Sequence, residues 1–172
     1  MFMPRRMVLA LSVVGCFLVY VAGAQPASAA ASASASIEHG RYLVRIAGCN
    51  DCHTDGYNET GGKVPEKQWL MGSKLGWHGP WGTTYAPNLR LFMQTVTEAQ
   101  WLTLAKSTTY RPPMPWVALH HMSTLDLSAI YSFIRYLGPA GVSAPAFVPP
   151  DQQPKGPVVQ FPAPPPAASK GS

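Results

Sequence analysis

Cysteine, charge and internal repetition are all scarce in this chain of 172 residues. It contains three cysteines, and charged residues make up 12% of the sequence, about half of their usual share in soluble domains. No cluster of lysine and arginine is present, which argues against a nucleic-acid-binding protein. No stretch repeats, so the length suits one domain with flanking segments.

The first residues have the pattern of an export signal. Arg5 and Arg6 precede an apolar run at 7–22, and small-residue cleavage patterns follow at 22–24 and 27–29. This pattern predicts a signal peptide over residues 1–24, with the second pattern extending to residue 30. An uncleaved anchor and a lipidated Cys16 are the alternatives. All three export the chain, which we expect in the periplasm, with membrane contact only if the segment is retained or lipidated.

Composition divides the exported part into three segments. Residues 25–36 are rich in alanine and serine and are expected to form a flexible linker. Residues 37–138 are the predicted domain. Residues 139–172 contain ten of the 18 prolines, so they are expected to form an extended or disordered tail. That tail either docks on a partner protein or has no role.

Helical patterns are legible in three parts of the predicted domain. The first covers about 37–47, the second begins with a capping box at Thr97, and the third runs from Ser123 to a stop at Gly138. Residues 55–95 show no alternating strand pattern of useful length. We therefore expect an all-α fold with long loops. Its helices supply a thin core, which suggests that another group fills it.

The pentapeptide C-N-D-C-H, Cys49–His53, contains the only cysteines left once Cys16 is removed with the signal. Its spacing admits a zinc half-site, a redox dithiol or a haem attachment site. A zinc site needs four ligands, and the chain has no second cysteine pair and only adjacent histidines at 120 and 121. A thioredoxin-like dithiol follows a strand, whereas a helix is expected before Cys49.

Haem attachment explains the spacing best. On a helical turn, residues three apart lie on one face, so Cys49 and Cys52 can both reach the vinyl groups of one porphyrin. His53 follows directly and can bring its imidazole to the iron. The sequence therefore predicts one covalently bound haem c, with His53 as an axial ligand of the iron.

At this point the domain resembles the class I c-type cytochromes, in particular small single-haem bacterial cytochromes associated with periplasmic dehydrogenases. The resemblance rests on H-G-R-Y-L-V-R-I-A-G-C-N-D-C-H-T, G-T-T-Y-A-P-N-L-R, R-P-P-M-P-W and D-L-S-A-I-Y-S-F-I-R-Y-L. It implies a helical shell around one haem. The N- and C-terminal helices would cross at Gly40, near Tyr131 or Tyr136.

The resemblance also implies a sixth ligand of the iron and a set of residues around the haem. Met114 stands in the proline-rich loop before the last helix, as the distal methionine does in this family. Met122 and a second histidine are the alternatives. Other residues expected near the haem edge or crevice, with ordinary core packing as the alternative for the tryptophans, are Trp77, Trp81, Tyr85, Asn88, Leu89 and Trp116.

With histidine and methionine both bound, the iron would have no free position for a substrate. We therefore expect an electron-transfer protein without catalytic residues. Its expected partners are a periplasmic dehydrogenase as donor and a downstream cytochrome or oxidase as acceptor, with no nucleic acid. The alternatives are a haem enzyme or gas sensor with a displaceable sixth ligand, and a structural subunit whose haem serves assembly.

Overall fold

The computed structural model describes residues 26–162, so the predicted signal peptide and residues 163–172 lie outside the described part. Within this part, no helix is both long and apolar enough to cross a membrane. A short 3₁₀ turn covers Glu66–Gln68. The helices are α1 (Pro26–Ile46), α2 (Cys49–His53), α3 (Leu89–Thr95), α4 (Glu98–Ser107), α5 (Trp116–His121) and α6 (Thr124–Leu137), and the strands are β1 (Gly76–Gly79), β2 (Gly82–Tyr85) and β3 (Val158–Gln160).

Helices α1 and α6 pack together and cross at a glycine. A Cβ atom on Gly40 would lie 2.0 Å from the carbonyl oxygen of Ala129 and 2.8 Å from Cβ of Phe133. Only a residue without a side chain allows two backbones to approach so closely. The expected crossing at Gly40 is confirmed, and the α6 residues that it contacts are Ala129 and Phe133.

The two helix starts predicted from capping residues are confirmed. Thr97 accepts a hydrogen bond from the backbone N–H of Gln100, whose side chain accepts one from the N–H of Thr97, which completes a capping box before α4. Ser123 accepts from the N–H of Asp126 before α6. That helix ends at Gly138, whose φ of 69° is easily adopted by glycine.

The expectation of an all-α fold is wrong, because the described residues also form a three-stranded mixed sheet in the order β2-β1-β3. Strands β1 and β2 form an antiparallel hairpin, and β3 pairs parallel to β1. Each strand has only three or four residues. Strands that short leave no alternating pattern for sequence reading to detect. The chain therefore combines helices with a small sheet.

The proline content predicts an extended or disordered tail, and residues 139–162 are extended but not disordered. Thr83 and Val148 exchange backbone hydrogen bonds of 2.8 and 3.0 Å, and the N–H of Phe161 donates to the carbonyl of His78 at 2.8 Å. The ring of Phe161 packs against Trp81 with centroids 5.1 Å apart. Proline restricts the chain to extended conformations, but the aromatic and β-branched residues between the prolines still pack on the hairpin.

The segment predicted as a flexible linker differs from expectation too. Helix α1 begins at Pro26 instead of near Ile37, so it includes residues 26–36. Alanine is the strongest helix former, and proline is favoured in the first turn of a helix. The alternation of alanine and serine, which predicted flexibility, is thus compatible with an exposed helical extension of α1.

A buried arginine joins α3 to the end of α6. Arg90 is only 6% exposed, and its guanidinium donates to the carbonyls of Lys67 at 2.7 Å, of Gly138 at 2.6 Å and of Leu137. The last carbonyls of a helix lack intrahelical partners and carry its negative end. Arg90 bonds to two of these carbonyls and to the carbonyl of Lys67, and it thereby links α6 to the loop that follows Cys49–His53.

Gly40→Ala should destabilise the protein although alanine is the better helix former. At an exposed helix position this change would stabilise by about 1 kcal/mol, whereas here the new Cβ meets the α6 backbone and should cost about 1–3 kcal/mol. Ala35→Gly, at an exposed position of α1, is the matched control and should cost about 1 kcal/mol. Urea unfolding measures both, and a Gly40→Ala protein more stable than wild type would contradict the crossing.

Candidate functional site

The pentapeptide Cys49–His53 forms the short helix α2, which begins at a left-handed glycine. Gly48 has φ 70° and ψ 22°, a conformation that costs glycine little, and it turns the chain sharply from α1 into α2. The carbonyl of His53 accepts from the N–H of Gly72 at 2.8 Å, and the hydroxyl of Thr54 accepts from the N–H of Leu70 at 2.8 Å. The C-terminal end of α2 is thus anchored to residues 70–72.

The loop at residues 70–72, which bonds to the end of α2, also contacts the segment around Pro87. The carbonyl of Leu70 accepts from the N–H of Leu89 at 2.9 Å, and Asn88 caps α3 by accepting from the N–H of Leu91 at 3.1 Å. A Cβ atom on Gly72 would lie 2.9 Å from both the Ala86 carbonyl oxygen and the Asn88 nitrogen. Close packing against Gly72 therefore sets the position of the Pro87 carbonyl.

This carbonyl determines the protonation of His53. Nδ1 of His53 lies 2.8 Å from the carbonyl oxygen of Pro87, and because a carbonyl can only accept, Nδ1 must carry the proton. Burial lowers the pKa of His53, with the hydrogen bond to Pro87 opposing part of that effect. The imidazole is therefore neutral, with a lone pair on Nε2. Among the described residues, no group hydrogen-bonds Nε2.

His53 lines a largely apolar cavity of about 400 Å³, a size typical of ligand-binding cavities. The thin core predicted a group that fills it, and this cavity borders buried residues of α4, α5 and α6. Residues from α2, the hairpin, α3, α4, α5, α6 and the loop 110–115 surround it. Apart from the residues discussed below, its wall includes Ala86, Pro87, Phe92, Trp101, Tyr110, Leu119, Ile130 and Ile134.

Cys49 and Cys52 both line this cavity and form no disulfide. Burial raises the pKa of Cys49 to about 11 and raises the pKa of Cys52 as well. Both sulfurs are therefore neutral thiols near pH 7. Redox dithiols and zinc sites use thiolates, which are favoured where the thiol pKa is lowered. This environment thus favours neither of those interpretations of Cys49–His53.

Of the predicted candidates for a sixth ligand, two methionines line the cavity within the described chain, Met114 and Met122. Met114 lies between Pro113 and Pro115, which line the cavity with it. Met122 caps the end of α5. Both predicted methionines therefore line the cavity of His53, and their positions alone do not decide which one is the sixth ligand.

The other histidines lie outside the cavity wall, so nothing in the geometry favours a second histidine ligand. His121 is exposed at the end of α5. The remaining three have partners elsewhere: His39 donates to Asp126 at 2.8 Å, His78 lies 2.7 Å from the hydroxyl of Thr83, and His120 lies 3.2 Å from the carbonyl of Thr108.

The residues expected at the edge of the site divide into two groups. Trp77, Tyr85 and Leu89 line the cavity. Trp81 and Trp116 do not, because they pack against Phe161 and His120 instead, with ring centroids 5.1 and 4.9 Å apart. Asn88 also lies outside the wall, where its amide donates to the carbonyls of Ala140 and Val142 at 2.7 and 3.1 Å.

Among the residues of the cavity wall that sequence reasoning missed are Arg111 and Phe147. The guanidinium of Arg111 lies 4.1 Å from the ring centroid of Phe147. Arg111 could have been noticed, because it opens the quoted R-P-P-M-P-W. Phe147 stands in the proline-rich segment without any periodic pattern, so no sequence signal placed it at the cavity.

The residues of this cavity fit a haem. Thiols three residues apart, a neutral imidazole with a free Nε2 and a thioether can supply the covalent and axial bonds that haem c requires. No group of three or more His, Cys, Asp or Glu side chains within the described residues could hold a metal ion directly. A haem iron needs no such group, because four of its ligands come from the porphyrin.

Comparisons of the chain with protein-family models, with curated proteins and with solved structures find no match. The resemblance to class I c-type cytochromes therefore rests on the quoted motifs, and the case for a haem rests on those motifs and on the geometry of this cavity.

Proposed function

We propose that this protein is a single-haem c-type cytochrome that carries one electron at a time. The observation that supports it best is the convergence in one apolar cavity of three features. These are the two free thiols of Cys49 and Cys52, the neutral imidazole of His53 and the thioether of Met114. No other chemistry weighed above uses all of them.

The two thiols have the role of covalent attachment. Each S–H can add across one vinyl double bond to form a thioether, a step that needs no oxidant or reductant. Their positions three residues apart on α2 present both sulfurs to one ligand. Because α2 is anchored at His53 and Thr54, attachment there would keep the ring at a defined depth in the cavity.

His53 and Met114 are the proposed axial ligands of the iron. The hydrogen bond from Nδ1 to the Pro87 carbonyl at 2.8 Å orients the imidazole and increases its basicity at Nε2, as hydrogen-bond acceptors behind metal-binding histidines do. We choose Met114 over Met122 because prolines flank it on both sides and restrict its backbone. The resemblance to the cytochrome family favours the same residue.

Bound haem would supply reversible one-electron exchange between Fe(II) and Fe(III). The chain would keep both protein ligands in place during that exchange, and its apolar wall would exclude water. A methionine ligand stabilises the reduced iron and raises the reduction potential. These conditions suit an electron carrier, with a dehydrogenase as donor and a downstream cytochrome or oxidase as acceptor in the periplasm. Those partners and that location rest on the export signal and on the resemblance.

A haem enzyme or gas sensor is the competing proposal. Arg111 in the cavity wall is the one observation that favours it, since a cation beside an open coordination site could stabilise a bound oxygen ligand. Against it, the wall contains no histidine besides His53, so the described cavity lacks a second imidazole for proton transfer.

Met114→Ala should abolish the weak far-red absorption band that a methionine sulfur bound to ferric haem produces. Met122→Ala is the matched control, because it removes the other thioether of the same cavity wall and should leave the band in place. Absorption spectra of the oxidised holoproteins decide between them. A band that survives in Met114→Ala but disappears in Met122→Ala would assign the ligand to Met122.

Carbon monoxide binding tests the electron-carrier proposal itself. Reduced wild-type holoprotein should bind carbon monoxide far more weakly than reduced Met114→Ala, since the sulfur blocks the sixth position. In a redox titration the wild type should show one reversible one-electron transition. If wild type and Met114→Ala bind carbon monoxide equally well, the sixth position is open and the haem-enzyme or sensor proposal replaces this one.

A further inference from the structure

Residues 139–162, called the C-terminal strap below, follow α6 and pair with both strands of the hairpin. Near its start, the strap is held by Asn88, whose side-chain amide donates to the carbonyls of Ala140 and Val142. Near its end, β3 pairs with β1. Between these anchors, Thr83 and Val148 exchange two backbone hydrogen bonds. The middle of the strap is therefore fixed from both sides.

The middle of the strap brings Phe147 into the cavity wall. A Cβ atom on Gly82 would lie 2.4 Å from the carbonyl oxygen of Val148 and 3.0 Å from the ring of Phe147. The φ of Gly82 is +98°, so a larger residue would be both strained and obstructed there. The glycine at the hairpin turn thus makes room for the strap and for the Phe147 ring.

Phe147 also contacts the loop that carries Met114. The guanidinium of Arg111 lies over its ring at 4.1 Å from the centroid, within the range of an attractive cation–π contact. The carbonyl of Arg111 accepts from the N–H of Met114 at 3.2 Å. In the described residues, Arg111 forms no salt bridge, so no acidic side chain competes with the ring for its cation.

We propose that Phe147 is a positioning residue for the methionine loop. The ring holds Arg111, and Arg111 holds the turn in which Met114 lies, so the strap keeps the thioether against the iron. The proposal rests on the haem function proposed above and concerns how firmly the sixth ligand is held. Loss of the ring face should let the loop open and let small external ligands replace the sulfur.

Imidazole binding to the oxidised holoprotein measures this directly, because imidazole replaces the methionine and removes the far-red band. Phe147→Leu keeps an apolar side chain in the wall but lacks the ring face. We expect it to bind imidazole about threefold to tenfold more tightly than wild type, as the loss of one cation–π contact implies. Val142→Ala is the control, since Val142 is 72% exposed on the same strap, and it should bind imidazole as wild type does.

Arg111→Ala provides an independent variant on the exposed side of the contact, where folding is at little risk. It should increase imidazole affinity as Phe147→Leu does. The double variant should bind imidazole no more tightly than either single variant, because both substitutions remove the same contact. Wild-type affinity in Phe147→Leu and in Arg111→Ala would overturn the proposal. So would additive effects in the double variant.

The failure of this proposal is distinguishable from the failure of the haem function. If wild-type protein holds no covalent haem, or lacks the methionine band, the proposed function itself is wrong. If wild type shows both and the variants do not differ from it in imidazole affinity, the electron-carrier function stands and only the role of Phe147 is withdrawn.

Discussion

The hydrogen bond between Nδ1 of His53 and the carbonyl of Pro87 is the constraint on which the rest of the site depends. It fixes the tautomer and the ring orientation and leaves Nε2 as the free lone pair. That bond exists because the loop around Leu70 and Gly72 pairs with the end of α2 on one side and receives the start of α3 on the other. Arg90 then connects α3 to the last carbonyls of α6.

The domain therefore has two structural halves with different physical origins. One is the crossing of α1 and α6 at Gly40, where close backbone contact and buried apolar side chains stabilise the fold. The other is a wall of short helices, hairpin and strap, in which glycines and side-chain caps replace long regular elements. The cavity lies between them, so a bound prosthetic group would complete the core and join the two halves.

Sequence reasoning predicted the parts of this arrangement that have strong local signals. The caps at Thr97 and Ser123 predicted where α4 and α6 begin. The spacing of Cys49–His53 predicted that both thiols and the imidazole face one site, and all three line the same cavity. The sheet was missed because its strands are too short for periodicity, and the strap was missed because its prolines dominate the composition of its sequence. Phe147 is held at the cavity by long-range contacts such as the pairing between Val148 and Thr83, which no local pattern encodes.

The central claim is that Cys49, Cys52 and His53 together hold a covalently bound haem. The most direct test is mass spectrometry of the proteolytic peptide that contains Cys49–His53, taken from holoprotein purified from the periplasm of a host that matures c-type cytochromes. We predict one haem per peptide, bound through both sulfurs, and partial attachment in Cys49→Ala or Cys52→Ala. A peptide with two free thiols that react with an alkylating reagent, together with complete extraction of any haem into acidified organic solvent, would contradict the account.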